Sequence, residues 1–379
     1  MTAQPGFSVE LETISRGFDG QTCWVHGRAG AIPGNPPVVV LTMQKLLLSG
    51  SDIFFGLHEM RTDDLGASWS GPTEHETLGR REEDGGVTAC ICDFTPKWHA
   101  ATGKLLGTGH VARYIGERLM PDPRPRQTTY SVYDAEARTW SPWATVAMPD
   151  DTKFSNCGAG CTQRVDLANG EILLPMYFRV KGEKFAKVSV MRCGFDGGEL
   201  RYLEHGSEHT VETARGLGEP SLARYDGRYF LTIRHDDRGY VTRGGDGLRF
   251  EEPRPWTFDD GSELGNYNTQ QHWVTHSDGL CLVYTRRGAN NDHVFRHRAP
   301  LFIAQVDPDR MCVIRETERI VVPERGARLG NFGVCEVSAN ETWVTVCEWM
   351  QPVGCEKYGS DNSVFVSRLR WDKANQLMR

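Results

Sequence analysis

The sequence predicts an all-β chain folded as a six-bladed β-propeller with four-stranded antiparallel blades. Three observations carry that reading. The apolar runs are short and rich in β-branched and aromatic residues. A turn marker built around an aspartate and an aromatic residue recurs along the chain. No long segment shows the 3.6-residue period of a helix, apart from short possibilities near "VETARG".

The runs come in order as "PPVVVLTM", "KLLLSGSDIFFGL", "GEILLPMYFRV", "KVSVMRC", "RYFLTIR", "LCLVYTR", "PLFIAQV", "RIVVP", "TWVTVCEW" and "SVFVSRLRW". Each spans about five to eight residues between Gly, Pro, Asn or Asp clusters, the punctuation of strands and turns. The 41 glycines suit a chain with many turns.

The clearest marker is "TDDLGASWSGP", Thr62 to Pro72. The Asp64 carboxylate suits backbone N–H groups in a turn, and Gly66 permits the tight backbone. Trp69 then packs between blades. Looser versions centre on Asp134 with Trp140, on Asp196, on Asp246 with Phe250, on Asp307 and on Trp371. They fall roughly 50 to 70 residues apart, which suits a blade plus its loops. Six markers predict six blades, with the last strand closing the ring against the N-terminal segment. Nothing of low complexity interrupts the series, so residues 1–379 read as one domain.

Composition narrows the function classes. The chain is 39% hydrophobic and 25% charged, an ordinary globular balance. A net charge of -7 argues against a nucleic-acid partner. No run approaches the roughly 20 apolar residues of a membrane span. The opening "MTAQPGFSVELETISRGF" lacks a basic region followed by an apolar run, so a cytoplasmic location is expected, with the 11 cysteines reduced. Cys90/Cys92 and Cys157/Cys161 lack zinc spacing, and no spaced Asp/Asn/Gly loop suggests calcium. No metal or other cofactor is expected. Phosphate-cradling Gly-rich loops and a G-x-S-x-G elbow are both missing. Oligomeric state is not readable.

Thr62 to Trp69 resembles the Asp-box, S/T-x-D-x-G-x-S/T-W, which caps the hairpin between outer strands of a blade. With six blades, this is similar to the sialidase superfamily. "GLGEPSLARYDGRYFLTIR" resembles the segment in which a catalytic glutamate precedes a hairpin ending in a substrate-binding arginine; Glu219 and Arg234 match. "RRGANNDHVFRHRAPLFIAQVD" resembles the segment of the next arginine, matched by Arg298, with Arg296 the alternative. The resemblance implies that these arginines grip a sugar carboxylate, that the glutamate polarises a tyrosine, and that Asp52 takes the acid/base position. The tyrosine belongs near "RLGNFGV", where Asn331 and Phe332 stand. The family's first arginine belongs in the region reading "AIPGNPPVVV", which has none.

A second resemblance is to propeller lyases of uronate-containing glycans, which use His, Tyr and Arg. "KLLGTGHVARY" places His110 at a strand end, and "GAGCTQRVDLANGEILLPMYF" places Gln163 and Arg164 after a Gly-rich turn.

The residues themselves support an acidic-sugar site. Glu219 lies at a strand entrance before Pro220, where inner strands of a propeller face the central mouth; a carboxylate there suits acid, base or nucleophile-activating work. Arg234, Arg298, Arg164 and Arg286 are clamp candidates, since a planar guanidinium holds a carboxylate through two parallel hydrogen bonds. His110 suits a proton shuttle. In "GNYNTQQHWVTH", Asn268, Gln270, Gln271 and His272 suit sugar hydroxyls, and Tyr267 or Trp273 a sugar face. Asp292, His293, Glu82, Glu83 and Asp84 read as rim residues. The expectation is an exo-glycosidase acting on a small acidic saccharide: Glu219 as catalytic carboxylate, His110 or Asp52 as proton donor, and Arg164, Arg234, Arg298, Gln163, Gln271 and His272 holding substrate. The alternatives are a lyase with His110 as base and an arginine neutralising a uronate, and a glycan-binding propeller without catalysis.

Overall fold

Alternating, half-buried runs can hide their apolar faces only by stacking sheets, and the chain does so as a ring. The computed structural model describes residues 5–122 and 124–378. Met1–Gln4, part of the segment read as lacking an export signal, lie outside the described residues. Six antiparallel sheets form the six blades of a β-propeller.

Blade 1 runs outward through Thr22–Ile32, Val38–Leu47, Phe54–Thr62 and Ser70–Glu74. Blade 2 uses Val87–His99, Lys104–Ile115, Thr128–Asp134 and Thr139–Trp140, with Arg81–Glu83 added on its inner side. Blade 3 has a broken inner edge: Cys157–Gly158 and Val165–Asp166 both pair with Ile172–Phe178, followed by Lys187–Phe195 and Leu200–His205. Blade 4 comprises Gly218–Tyr225, Arg228–Arg234, Tyr240–Gly244 and Arg254–Pro255. Blade 5 comprises His272–His276, Gly279–Tyr284 and Leu301–Asp307, with Cys312–Val313 and Arg319–Val322 outside. Blade 6 takes Gly333–Ser338, Glu341–Cys347 and Val364–Trp371 from the end of the chain, and its fourth strand, Phe7–Ser15, from the beginning. That pairing, from Phe7 opposite Trp371 to Ser15 opposite Val364, closes the ring. Closure protects the sheet edge that an open blade would expose.

The recurring aspartates have one physical job. Asp134, Asp196, Asp246 and Asp307 each turn Oδ1 onto the N–H groups two and three residues ahead, at 2.7–3.0 Å. Each sits between the third and fourth strands of its blade. In blade 1, Asp64 Oδ1 accepts the Ser68 N–H at 2.9 Å and the Thr62 hydroxyl at 2.8 Å, and the Thr62 hydroxyl accepts the Gly66 N–H at 2.8 Å. Blade 6 has no such hairpin, because its outer strand comes from the other end of the chain; the marker at Trp371 is an aromatic without the turn.

The core lies in wedges between blades. Val283, Ile303, Val344 and Phe365 meet between blades 5 and 6, and Phe230, Trp256, Trp273 and Leu282 between blades 4 and 5. Trp69 packs on Trp343 across blades 1 and 6, ring centres 6.0 Å apart. Trp343 is fully buried, so truncation to Ala costs about 3–5 kcal/mol. Buried Glu59 of blade 1 accepts the Tyr133 hydroxyl and the Trp140 indole N–H of blade 2, each at 2.9 Å, so the wedge carries a polar staple as well. All 11 cysteines are buried and free.

Candidate functional site

The inner strands depart from regular pairing where they approach the propeller axis. The register slips between Val25 and Arg28 in blade 1, between Cys92 and Thr95 in blade 2, and between Gly218 and Ser221 in blade 4. At these slips, at the break in blade 3, and just before the inner strand of blade 5, a non-glycine residue takes positive φ: His26 (57°), Asp93 (53°), Glu219 (40°), Cys161 (60°) and Asn268 (52°). An L-residue there is strained, and bulges turn a side chain away from its regular direction. Five inner edges thus aim five polar side chains inward.

Arg28 knits the floor together. Fully buried, it donates from Nη2 to Asp93 Oδ1 at 3.1 Å, to Cys161 Sγ at 3.2 Å and to Gln270 Oε1 at 3.3 Å, and from Nε to the Phe332 carbonyl at 3.3 Å. Its Nη1 has no hydrogen-bond partner among the described residues. Asp93 Oδ1 also accepts the Cys161 thiol at 2.7 Å and lies 3.2 Å from His26 Nε2. Burial works against ionising Asp93, but His26, Arg28 and His110 outweigh it and hold the carboxyl well below its usual range. Burial lowers His26, so near neutral pH the guanidinium of Arg28 is the fixed charge that keeps Asp93 ionised. Cys92, Asp93 and His110 could present ligand atoms to a cation within 4.8 Å of one another, yet Arg28 already places a positive charge on that carboxylate. The donor set therefore does not favour a metal.

His110 stands on the second strand of blade 2. Its Nε2 is 3.7 Å from Asp93 Oδ2, and its Nδ1 is 3.3 Å from the Tyr177 hydroxyl of blade 3. Burial, then Arg126, holds His110 down to about 3, against the pull of Asp93. Burial also raises the Tyr177 phenol well above its ordinary value, with Arg126 opposing. The pair is a neutral imidazole beside a neutral phenol. The break in blade 3 makes room for it: a Cβ on Gly160 would fall 1.9 Å from His110 Nδ1.

Above this floor, Glu219 is ion-paired with Arg234. Arg234 Nη2 also donates to Asn268 Oδ1 at 2.8 Å, and Arg296 and Arg298 reach the same oxygen at 3.4 Å. Arg298 also donates to the Asn268 carbonyl, and from Nη1 to Asn331 Oδ1 at 3.4 Å, while its Nε has no partner among the described residues. Burial first, then Arg234, Arg328 and Arg296, drives Arg298 well below the usual arginine value. Asp52 lies exposed on the turn before Phe54–Thr62, where its charge reaches Arg328, Arg296 and Arg124. A pocket of about 170 Å³ opens beside Glu219 and Arg234, lined also by Arg126, Tyr177 and Arg215.

The structure therefore brings Glu219, Arg234 and Arg298 together around Asn268, with His110 against the Tyr177 that lines the pocket and Asp52 on the exposed turn. The other expected residues lie elsewhere or are occupied. Arg164 is not available as a clamp: its Nε bonds Asp166 at 2.9 Å, Nη1 the Leu106 carbonyl at 2.7 Å and Nη2 the Lys97 carbonyl at 2.9 Å, so it staples blade 3 to blade 2. Arg286 is tied to Glu318 at 2.6 Å. Gln163 pairs through both amide atoms with the Trp273 backbone, at 2.6 and 2.9 Å. Gln271 is buried between Thr232 (2.9 Å) and the Thr269 carbonyl (2.6 Å). Burial, then Arg28, brings His272 down to about 3, and its Nδ1 lies 2.8 Å from the Ser221 hydroxyl. These three form polar packing beneath the mouth, not substrate contacts. His110, neutral near pH 7, has one ring N–H to donate and one ring nitrogen to accept.

Sequence reasoning missed Arg28, Asp93, Cys161, Tyr177 and Arg126. Arg28 reaches the axis from the inner strand of blade 1, four residues before the Ile32-Pro33 pair, because the bulge at His26 turns it inward. The Gly-rich "CGAGC" was the available signal for the broken edge in blade 3.

No family model matches the chain, and no curated protein is significantly similar to it. Solved structures do match. A Dyadobacter fermentans protein of unknown function superposes with TM-score 0.63 at 14% identity, covering 96% of this chain and 99% of that one. A Trypanosoma rangeli sialidase superposes with TM-score 0.61 at 14% identity, over 97% of this chain and 60% of its own. The Hadza microbial sialidase Hz136 gives 0.61 at 13% identity, over 94% and 66%. The fold is thus a six-bladed β-propeller like that of those sialidases. The chain spans about three fifths to two thirds of the length of those two sialidases.

Proposed function

We propose that the protein is a carbohydrate-active enzyme that hydrolyses the glycosidic bond of an acidic sugar, a uronate or a nonulosonate. The observation that carries this reading is Glu219 ion-paired with Arg234, beside an Arg298 that has no acidic partner of its own among the described residues. Buried guanidinium groups without counter-ions are costly unless a ligand supplies the anion. A sugar carboxylate meets Arg234 and Arg298 through paired hydrogen bonds, with the free Nη1 of Arg28 beneath. Displaced from Arg234, Glu219 accepts a proton from a water molecule that bonds to the anomeric carbon as the departing oxygen leaves it. Asp52, at the open rim, delivers a proton to the departing oxygen. The similarity to solved sialidases supports the scaffold, while the chemistry rests on these residues.

A second reading is favoured by the His110–Tyr177 pair. A neutral imidazole 3.3 Å from a phenol suits elimination at a uronate, His110 taking the carbon-bound proton and Tyr177 protonating the leaving oxygen. The neutraliser is then an arginine of the mouth, since Arg164 is occupied.

The test is a product assay on sialosides and uronate-containing oligosaccharides, read by mass and near-ultraviolet absorbance. Gain of one water, with Glu219→Gln lowering kcat/KM by roughly a hundredfold or more, supports hydrolysis. Products with no added water and new absorbance support elimination. Saturable binding without product leaves a glycan-binding propeller.

A further inference from the structure

The connection into the third strand of blade 2 reads Pro121-Asp122-Pro123-Arg124-Pro125-Arg126, proline alternating with charge. Proline fixes φ covalently, so the charged residues between prolines lose less freedom when they bind. The last residue of the segment is docked on blade 3: the Arg126 N–H donates to the Ser155 carbonyl at 3.0 Å, and the Cys157 N–H donates to the Arg126 carbonyl at 2.9 Å. The Arg126 side chain lies over Gly158, where a Cβ would fall 2.8 Å from its Cδ, and its guanidinium sits 4.9 Å from the centre of the Tyr177 ring.

The charges around it do not balance. Arg124 and Arg179 share one carboxylate, Asp122, at 3.6 and 3.2 Å. Arg126 has no acidic partner within ion-pair distance among the described residues. Three guanidinium groups against one carboxylate leave two positive charges on one wall of the pocket. That wall is continuous with Glu219 and Arg234, since the same pocket is lined by Arg124, Arg126, Arg179, Glu219 and Arg234. The mouth therefore has two basic arcs: Arg234, Arg296 and Arg298 around Asn268, and Arg124, Arg126 and Arg179 around Asp122.

We propose that the second arc is a second anion subsite, and that the saccharide entering the mouth carries two oxyanions: one at Arg234 and Arg298, the other, a carboxylate or a sulfate on the adjoining sugar, at Arg126 with Arg124 and Arg179. This rests on the reading that the mouth takes an acidic saccharide. A rigid, partly dehydrated guanidinium cluster discriminates between one charge and two, because the second oxyanion replaces water on groups already held in place.

Titration calorimetry on the full chain tests it with two matched pairs. One pair is the unsulfated chondroitin disaccharide against its 4- and 6-sulfated forms; the other is the monomethyl ester of digalacturonate against digalacturonate. The expected result is that the second oxyanion tightens binding about tenfold, and that Arg126→Gln or Arg179→Gln cuts the gain to about twofold, with Arg126→Lys retaining part of it. A gain confined to the sulfated pair assigns the subsite to sulfate, and a gain confined to digalacturonate assigns it to carboxylate. If singly charged saccharides bind and the second oxyanion adds nothing, or the gain survives Arg126→Gln, the subsite is overturned while the acidic-saccharide reading stands. If a sialoside run alongside binds while neither uronate pair does, the subsite as proposed is overturned and the acidic-saccharide reading stands; if neither the sialoside nor any uronate saccharide binds to folded protein, that reading falls and the subsite falls with it. Each variant's melting curve guards against misfolding, and the ratio within a pair is insensitive to a loss of active fraction.

Discussion

His110 Nδ1 and the Tyr177 phenol oxygen stand 3.3 Å apart across the seam between blades 2 and 3. Both are buried, and their surroundings hold both neutral at ordinary pH. This contact separates the two chemistries. Under hydrolysis centred on Glu219, Tyr177→Phe keeps the ring and lowers kcat/KM by no more than about tenfold. A loss of roughly a hundredfold or more, with an unsaturated product, would move the chemistry to the His110–Tyr177 pair.

Arg298 is a cost carried by the fold. It is 5% exposed, lacks an acidic partner among the described residues, and is flanked by Arg234, Arg296 and Arg328. Arg298→Met is expected to stabilise the free protein by roughly 1 kcal/mol while weakening an acidic sugar by about a hundredfold. Thermal melting with and without the sugar checks both halves. A lower melting temperature in the free variant would show that Arg298 supports the fold.

Asp93 has the opposite sign. Asp93→Asn leaves Arg28 buried without its counter-charge and is expected to cost about 3–5 kcal/mol, the usual result of breaking one side of a buried pair. Denaturant unfolding measures it. The double variant Asp93→Asn with Arg28→Met should recover much of the loss, and failure to do so would mean that Cys161 and His26 carry the floor.

Glu348 makes stability fall with pH. It is 1% exposed, accepts the Asp361 and Ser363 N–H groups at 3.0 Å, and lies 3.3 Å from Arg325. Burial raises it to about 7, against the N–H groups and Arg325, which lower it. A carboxyl raised on folding binds its proton more tightly in the native state. Its stabilising contribution is therefore complete below the unfolded value near 4.5 and is lost as pH rises to about 7, on the order of 3 kcal/mol in all. Unfolding free energies between pH 4.5 and 7.5 should slope downward in the parent and be flatter in Glu348→Gln. Parallel slopes would exclude this group as the source.

The propeller was legible because its signals are local. Asp134, Asp196, Asp246 and Asp307 each satisfy N–H groups two and three residues away, a contact that spacing alone specifies. Glu219, Arg234 and Arg298 were legible for a different reason: they matched a resembling pattern, and the fold places them around Asn268. Arg164 and Gln163 were read from residue type beside a Gly-rich turn, and type does not reveal whether a neighbouring blade has already taken up the side chain.

The sequence by itself determined the fold class, the count of blades and the closure of the ring by its two ends. Only the tertiary structure decided the floor. Arg28, Asp93 and Cys161 lie far apart in the chain and meet because register slips and a broken strand turn them toward the axis. A bulge shifts a side chain's direction without changing the alternation that identifies its strand, so the sequence pattern does not announce which residue will point inward.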